Sequence, residues 1–554
     1  MTGGVCHPPS SRDPRVRKSR PPTARAGVLL GLVLGLALFG LVGPPRAALA
    51  AGATPIVHGA IDTPHDSTAD HTAYEELTGP FTDGPSVTAA CLHCHTNAAK
   101  QLHQTTHWTW HYDNARTGQA GLGKRNVVNN FCISIESNWP RCTSCHIGYG
   151  WEDASFDHGS ETAVDCLVCH DTTGTYTKPA TLAGHPDPAL DLAEVARNVG
   201  PTSRATCGAC HFNGGGEDGV KHGDLDTSLI QPDFALDVHM DANGLNFQCA
   251  TCHTTGGHQV TGSRYAPTAI DPVGIDVPGH TDQTRATCES CHGQTPHERR
   301  SKLNDHTDRV ACQTCHIPAF ARGARMTKVR WDWSTAGRMT ADGKPFHEEG
   351  AHGYTTYTSK KGDFVWGADV PPDYRWFNGT IRYTKPGDTI DPDGVVVLNA
   401  VEGAADDPDS RIWPFKVMHS RQPYDAGQSV LALPHVFGKD DTAFWTNFDW
   451  PKALTAGMAA QPVPFSGAHD FVDTETYWPI THMVAPKEEA LSCNECHAGN
   501  GRLADLTGFY MPGRDTFPWL TTVGWGLAGL TLLGTILHGL IRLAASIRAR
   551  ARRG

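Results

Sequence analysis

Two apolar runs mark the ends of this 554-residue chain. The first, Ala26 to Gly43, has 18 residues and follows a basic segment carrying Arg12, Arg15, Arg17, Lys18, Arg20 and Arg25. Pro-Pro-Arg-Ala-Ala-Leu-Ala50 comes next, so the pattern predicts a secretory signal over residues 1–50, cleaved at small residues before Ala51. The run is long for a cleaved signal, and an uncleaved anchor is the alternative. The second run, Trp519 to Ile541, has 23 residues without a formal charge, enough to span the ~30 Å of a bilayer core. Phe517, Trp519 and Trp525 stand at its start, and Arg542, Arg548, Arg550, Arg552 and Arg553 follow it. Interfacial aromatics and a basic tail predict a transmembrane helix within 517–554 and a cytoplasmic C-terminus. Residues 51–516 are then expected on the periplasmic side of the inner membrane.

Between the runs the hydrophobic pattern is broken up. Gly and Pro make up 96 of the 554 residues, and no stretch keeps a long period of 3.6 or 2. This predicts a mainly α outer domain with much irregular structure, short helices, and few short strands such as Gly394 to Leu398.

The cysteines change that picture. Of 18, 16 fall in eight copies of Cys-x-x-Cys-His. The first four pairs are Cys91 and Cys94, Cys142 and Cys145, Cys166 and Cys169, and Cys207 and Cys210. The other four are Cys249 and Cys252, Cys288 and Cys291, Cys312 and Cys315, and Cys493 and Cys496. The histidines that close the motifs are His95, His146, His170, His211, His253, His292, His316 and His497. Composition alone would give roughly 0.03 copies, so the repeat is the attachment signature of c-type haem. Positions i, i+3 and i+4 share one face of a helical turn, so two thioethers form along one porphyrin edge while the histidine swings under the ring to iron. Zinc sites have no use for a histidine after every second cysteine, and a disulfide framework does not repeat one local spacing. Eight covalently bound haem c groups are therefore expected. At roughly 58 residues per haem, porphyrin replaces much of the side-chain core, and residues 51–516 read as one octahaem domain. The first seven motifs lie within 91–316, and 176 residues then precede the eighth. That gap is expected to wrap the haem core and supply distal ligands.

Charge sharpens once the ends are removed. Between Ala51 and Thr516, Lys+Arg falls from 46 to 34 and Asp+Glu from 58 to 57, leaving −23. Nucleic acid is excluded as a partner, and a small anionic substrate must be received by a locally positive site.

Distal ligands decide what a multihaem chain does. A six-coordinate haem passes electrons, whereas a catalytic haem needs an exchangeable position. With 31 His in the chain, the candidates nearest the motifs are His103, His107, His185, His239, His258, His297, His306 and His482. Cys132 is the one cysteine after residue 50 outside a motif. Taken alone it reads as a small buried hydrophobe, and Lys221 alone as a solvated charge. Asp218, three residues before Lys221, could orient it on a helical turn, although Gly219 weakens that geometry.

Several segments are similar to those of the octahaem tetrathionate reductases. They are Asn129-Asn-Phe-Cys-Ile-Ser134, Cys142 to Trp151, Gly214 to Asp224, Val238 to Asn246, and Tyr477-Trp-Pro-Ile-Thr-His-Met483. The resemblance runs from about His71 to His497. It implies that the haem of the second motif takes a lysine in place of a distal histidine, which falls at Lys221, with Asn129, Cys132 and Asp218 lining the same cleft. It further implies reduction of tetrathionate, with nitrite and hydroxylamine as other substrates, and seven bis-histidine haems feeding the catalytic one. The C-terminal membrane helix is a departure from a soluble family member, and it points to a quinol-oxidising membrane partner as electron donor. Two other readings stay open: a non-catalytic conduit of eight six-coordinate haems, and a hydroxylamine-oxidoreductase-like enzyme. The latter uses a tyrosine cross-linked to haem, and the only tyrosine after the last motif is Tyr510, just before the membrane run.

Overall fold

Every Cys-x-x-Cys-His motif sits on or at the end of a short helical segment. These are Gly84–Leu92, Cys142–Cys145, Leu167–His170, Arg204–His211, Cys249–Cys252, Glu289–His292, Cys312–His316 and Cys493–Cys496. Helices this short are marginal in isolation and depend on their ends. Ser86 N donates to Asp83 Oδ1 at 2.8 Å ahead of the first motif, and Thr206 N to Ser203 Oγ at 3.2 Å ahead of the fourth, both within capping boxes. The first motif overruns its helix. Cys91 lies in the last turn of Gly84–Leu92, while Cys94 and His95 lie past its end. The turn is nevertheless carried on, since Cys94 N and His95 N both donate to Cys91 O, at 3.2 and 2.9 Å. Long irregular connections join these segments. This computed structural model describes residues 69–129, 134–214, 217–276, 285–323 and 325–554. The expected signal segment and its cleavage point lie outside the described residues, as does Cys132.

The 176-residue gap holds more regular structure than its sequence suggests. It builds a nine-stranded mixed sheet around the 15-residue strand Arg411–Asp425. That strand pairs antiparallel with His469–Pro479 from Phe415↔Pro479 to Asp425↔His469. It also pairs antiparallel with Asp373–Phe377 and parallel with Thr327–Asp332. Its side chains are buried on both faces almost without interruption, His419 alone being exposed, as expected of a central strand. The short piece expected near Gly394 to Leu398 is the strand Val396–Val397, a parallel neighbour of His469–Pro479.

One hydrophobic cluster joins the sheet to the haem-bearing half. Trp331, Trp333, Phe364, Met418 and Trp478 of the sheet pack with Val128 and Val220, which flank Asn129 and Lys221 in sequence. Buried among these aromatics is Lys328, its ammonium 3.6 Å from the Phe364 ring centre and 3.0 Å from Glu217 Oε1. Burial pushes its pKa down to about 8.

The C-terminal helix Pro518–Ala551 opens with a proline in its first turn, where a missing N–H costs nothing. Its 34 residues, apolar up to Ile541 apart from His538 and a few threonines, are exposed on every side, with Trp525 75% accessible, and its length and composition suffice to cross a membrane.

Candidate functional site

Six histidines that close haem motifs face a second histidine. The ring centres lie 6.3 Å apart for His71 and His95, 6.2 Å for His107 and His211, and 5.9 Å for His239 and His292. They lie 6.2 Å apart for His253 and His482, 6.2 Å for His297 and His316, and 6.1 Å for His306 and His497. An imidazole nitrogen binds a first-row metal at about 2.0 Å and lies about 1.1 Å from its ring centre, so two rings sharing one iron have centres about 6.2 Å apart. The spacing therefore fits one iron between the rings of each pair.

Hydrogen bonds orient these rings for the same task. His253 Nδ1 lies 2.9 Å from Thr261 O and His497 Nδ1 2.9 Å from Pro512 O. His297 Nδ1 meets Asn304 Oδ1 at 3.1 Å, His306 Nδ1 meets Lys302 O at 2.9 Å, and His482 Nδ1 meets the buried Asp224 Oδ2 at 3.2 Å. Holding Nδ1 fixes the tautomer and turns Nε2 toward the metal. Burial holds His211 down to about 3 and also lowers His253 and His316, which keeps these rings neutral, as ligands must be. His170 and His258 complete the series: Nδ1 of His170 is bonded to Gly200 O and that of His258 to Gln101 Oε1, each at 2.8 Å. His170 also acts electrostatically on His258.

The candidates from sequence thus divide. His107, His239, His297, His306 and His482 each face a motif histidine, and His258 feels the charge of both His170 and His95. His103 instead stacks on Trp108 at 4.6 Å and His185 on Tyr149 at 6.1 Å. His71, which faces His95, escapes a sequence search because it lies 20 residues before the first motif rather than close behind one.

His146 of the second motif is different. Its ring lies among Trp108, Trp110, Trp151 and Phe156, at 5.0, 5.3, 4.7 and 5.5 Å, and burial pushes its pKa down to about 3. His146 Nε2 is 2.6 Å from Trp108 O. The nearest imidazole in the same cage, His158, is 6.5 Å away, but Trp151 and Phe156 crowd both rings. Cations surround this motif within a strongly acidic domain. Lys124 Nζ donates to Cys142 O at 3.2 Å, and Lys178 Nζ donates to His146 O at 2.6 Å while pairing with Asp165 at 3.0 Å. Arg125 lies over Trp151, and Arg141 over Trp445.

Lys221 lies beside the fourth motif. Its ammonium is 5.1 Å from the Trp478 ring centre, and its charge acts on His211. The fourth motif in turn touches the second, where Cys210 Sγ lies 3.9 Å from Cys145 O. Val128 and Val220 share one core cluster, and Gln422 donates to Asn129 O at 3.3 Å from the same strand that holds the Lys221 loop. Asp218 turns elsewhere: Gly219 is left-handed at φ 70°, which breaks the helical turn, and the carboxylate takes Thr227 N at 2.9 Å and Arg325 Nε at 3.0 Å.

Neighbouring motifs meet at their thiols. The sulfur atoms lie close together for Cys91 and Cys166, Cys145 and Cys210, Cys207 and Cys249, and Cys288 and Cys312. Cys169 lies near Cys207, Cys252 near Cys291, and Cys315 near Cys496. The motifs thus form one chain in the order 1, 3, 4, 5, 6, 7, 8, with the second attached beside the fourth. Within the first motif the two thiols differ: Cys91 faces Cys166 of the third, whereas Cys94 is exposed. The first motif therefore stands at one end of the chain of motifs. Mass spectrometry of the mature protein is expected to show eight covalent haems and an N-terminus near Ala51. Seven or fewer in fully matured protein would contradict the use of all eight motifs.

A bacterial cytochrome c family model matches residues 328–500, which span the sheet and the eighth motif. The crystal structure of an octahaem cytochrome c from Shewanella oneidensis is similar over 78% of this chain and 95% of its own, at 46% identity and a TM-score of 0.71. No curated protein matches the chain. With its haem motifs on short helical turns, most of their histidines faced by a second imidazole, and a relative of this similarity over most of its length, the chain belongs to the octahaem c-type cytochromes, a redox family carrying covalently bound haem.

Proposed function

We propose that this protein is a periplasmic terminal reductase, anchored by its C-terminal helix, in which seven bis-histidine haems deliver electrons to a catalytic haem held by His146. Lys221 is its exchangeable distal ligand and tetrathionate its foremost substrate, with nitrite or hydroxylamine as further ones. The observation that supports this most is the surroundings of His146 on the side branch of the chain of motifs: its ring is caged by Trp108, Trp110, Trp151 and Phe156, of which Trp151 and Phe156 also crowd His158 at 6.5 Å, whereas six other motif histidines face a second imidazole at 5.9 to 6.3 Å. Bound haem supplies one-electron steps and an iron that takes a substrate atom when its distal ligand leaves.

The residues of the chain do the rest. Lys124 and Arg141 bring positive charge to the second motif, beside the ion pairs of Arg125 with Glu136 and Lys178 with Asp165, and would draw a dianion into a domain that otherwise repels it. The Lys221 ammonium, when not holding the haem, would stay beside the anion and donate hydrogen bonds or a proton to it. For tetrathionate, two electrons enter the central S–S bond, that bond breaks, and two thiosulfates leave. The electrons arrive through the fourth motif, from a membrane quinol-oxidising partner acting on the far end of the chain.

The conduit reading draws on His158, but Trp151 and Phe156 lie 5.0 and 4.9 Å from its ring and crowd the approach to His146. Tyr510 is 58% exposed and stacks on Phe517, which argues against a haem cross-link. Lys221→Ala tests the ligand directly: one haem in eight becomes high-spin in the ferric protein, whereas eight low-spin haems would favour the conduit. Cys132, in the segment of Asn129, is proposed to touch a substrate sulfur as a thiolate. Cys132→Ser then lowers tetrathionate reduction about tenfold more than hydroxylamine reduction. Equal losses on both substrates would assign Cys132 to packing.

A further inference from the structure

The loop 217–221, which carries Lys221, is tied to the sheet region at each of its five residues. Glu217 pairs with Lys328 at 3.0 Å, and Asp218 with Arg325 at 3.0 Å. Gly219 O accepts from the Thr327 hydroxyl at 2.7 Å. Val220 O and Lys221 O accept from the ammonium of Lys416, at 2.7 and 3.1 Å. Lys416 also donates to Thr327 Oγ1, so the lysine and the threonine form one network beneath the loop.

Lys416 is unusual for its place. It stands in the middle of the central strand Arg411–Asp425 with its side chain fully buried. Its three hydrogen bonds go to two main-chain carbonyls and a hydroxyl, and the carboxylate of Asp224 acts on it only through its field. Burial pushes its pKa well below the ordinary lysine range. An apolar side chain of the same length would fill the volume without the cost of burying a charge. What an apolar residue would not do is hold the carbonyls of Val220 and Lys221.

We propose that Lys416 is the positioning residue for Lys221: from the centre of the sheet it fixes the main chain at 220–221, so that the flexible Lys221 amine is presented to iron from one place. This rests on the reading of Lys221 as the distal ligand. A lysine stem has four rotatable carbons, and an amine competes poorly for ferric iron against its own protonation. Anchoring the backbone removes much of the freedom that binding would otherwise have to overcome. Lys416 thereby sets how often the iron is open, without touching substrate or haem.

The test uses full-length, haem-loaded protein in detergent, with Lys221→Ala as the open reference. Lys416→Met keeps the side-chain length and removes the donors. It is expected to raise the high-spin signal of one haem and the affinity for added cyanide by about tenfold, the worth of one to two buried hydrogen bonds. The other seven haems stay low-spin. Thr327→Val should move both readings in the same direction by less, and Thr327→Ser, which keeps the hydroxyl, should restore them. If Lys416→Met does not accumulate with its haems, the Thr327→Val and Thr327→Ser pair decides alone. The proposal is overturned if these variants keep the spin state and cyanide affinity of the unaltered protein while Lys221→Ala is open. If Lys221→Ala itself stays low-spin, the ligand reading fails first and the positioning role fails with it.

Discussion

Replacing Lys221 with histidine is expected to stop substrate turnover while leaving eight haems attached and reducible. An amine must shed its proton to bind iron, and from a reference pKa near 10.4 that costs ~4.6 kcal/mol at pH 7. Imidazole, with a reference pKa near 6.5, loses its proton at almost no cost. Burial and the charge of ferric iron reduce the lysine cost without removing it, so a lysine-bound haem exchanges its ligand far more readily than a bis-histidine one. Lys221→His would turn the second haem into one more inert carrier and remove the ammonium that meets the substrate. Turnover with an artificial reductant should fall by at least about 100-fold, well within the difference in ligand cost. Absorption spectra should show every haem still reduced by dithionite. Full rates in Lys221→His would place the catalytic haem elsewhere.

The second large effect concerns the membrane. Deleting residues 517–554 should release a soluble, fully haem-loaded domain that reduces substrate from artificial donors at an unchanged rate. If Pro518–Ala551, whose length and composition suffice to cross a membrane, holds the domain at its donor, quinol-linked reduction in membranes should fall to background. The helix packs no side chains of the haem domain into its apolar window, so its removal leaves the haem packing intact. Quinol-linked rates that survive the deletion would show that the helix does not couple the protein to its donor.

What the sequence disclosed follows from how local each interaction is. Haem attachment is written in five consecutive residues, so all eight motifs were legible, as was the 34-residue helix in its apolar run. Distal histidines close to a motif on either side were legible as candidates, five of which face a motif histidine, but His71, 20 residues ahead of the first motif, was not, because nothing local ties it to His95. The sheet was hidden by its own chemistry. Pro414, Lys416 and Pro423 interrupt the apolar pattern of the central strand, although prolines seldom occupy such a strand. The clamp on the Lys221 loop joins residues 195 and 196 positions apart, which no periodicity or motif records. Asp218 shows the reverse: spacing set it beside Lys221, and a left-handed glycine turned it away.

The central claim is that electrons reaching the second haem leave on a substrate. The most direct measurement is steady turnover of tetrathionate, nitrite and hydroxylamine by the purified outer domain under a saturating artificial reductant, compared with its Lys221→His variant. The expected result is sustained tetrathionate reduction to thiosulfate, two electrons per molecule, that the variant lacks although its haems reduce as fully. Complete reduction of all eight haems with no turnover of any of the three would contradict it and leave an electron conduit.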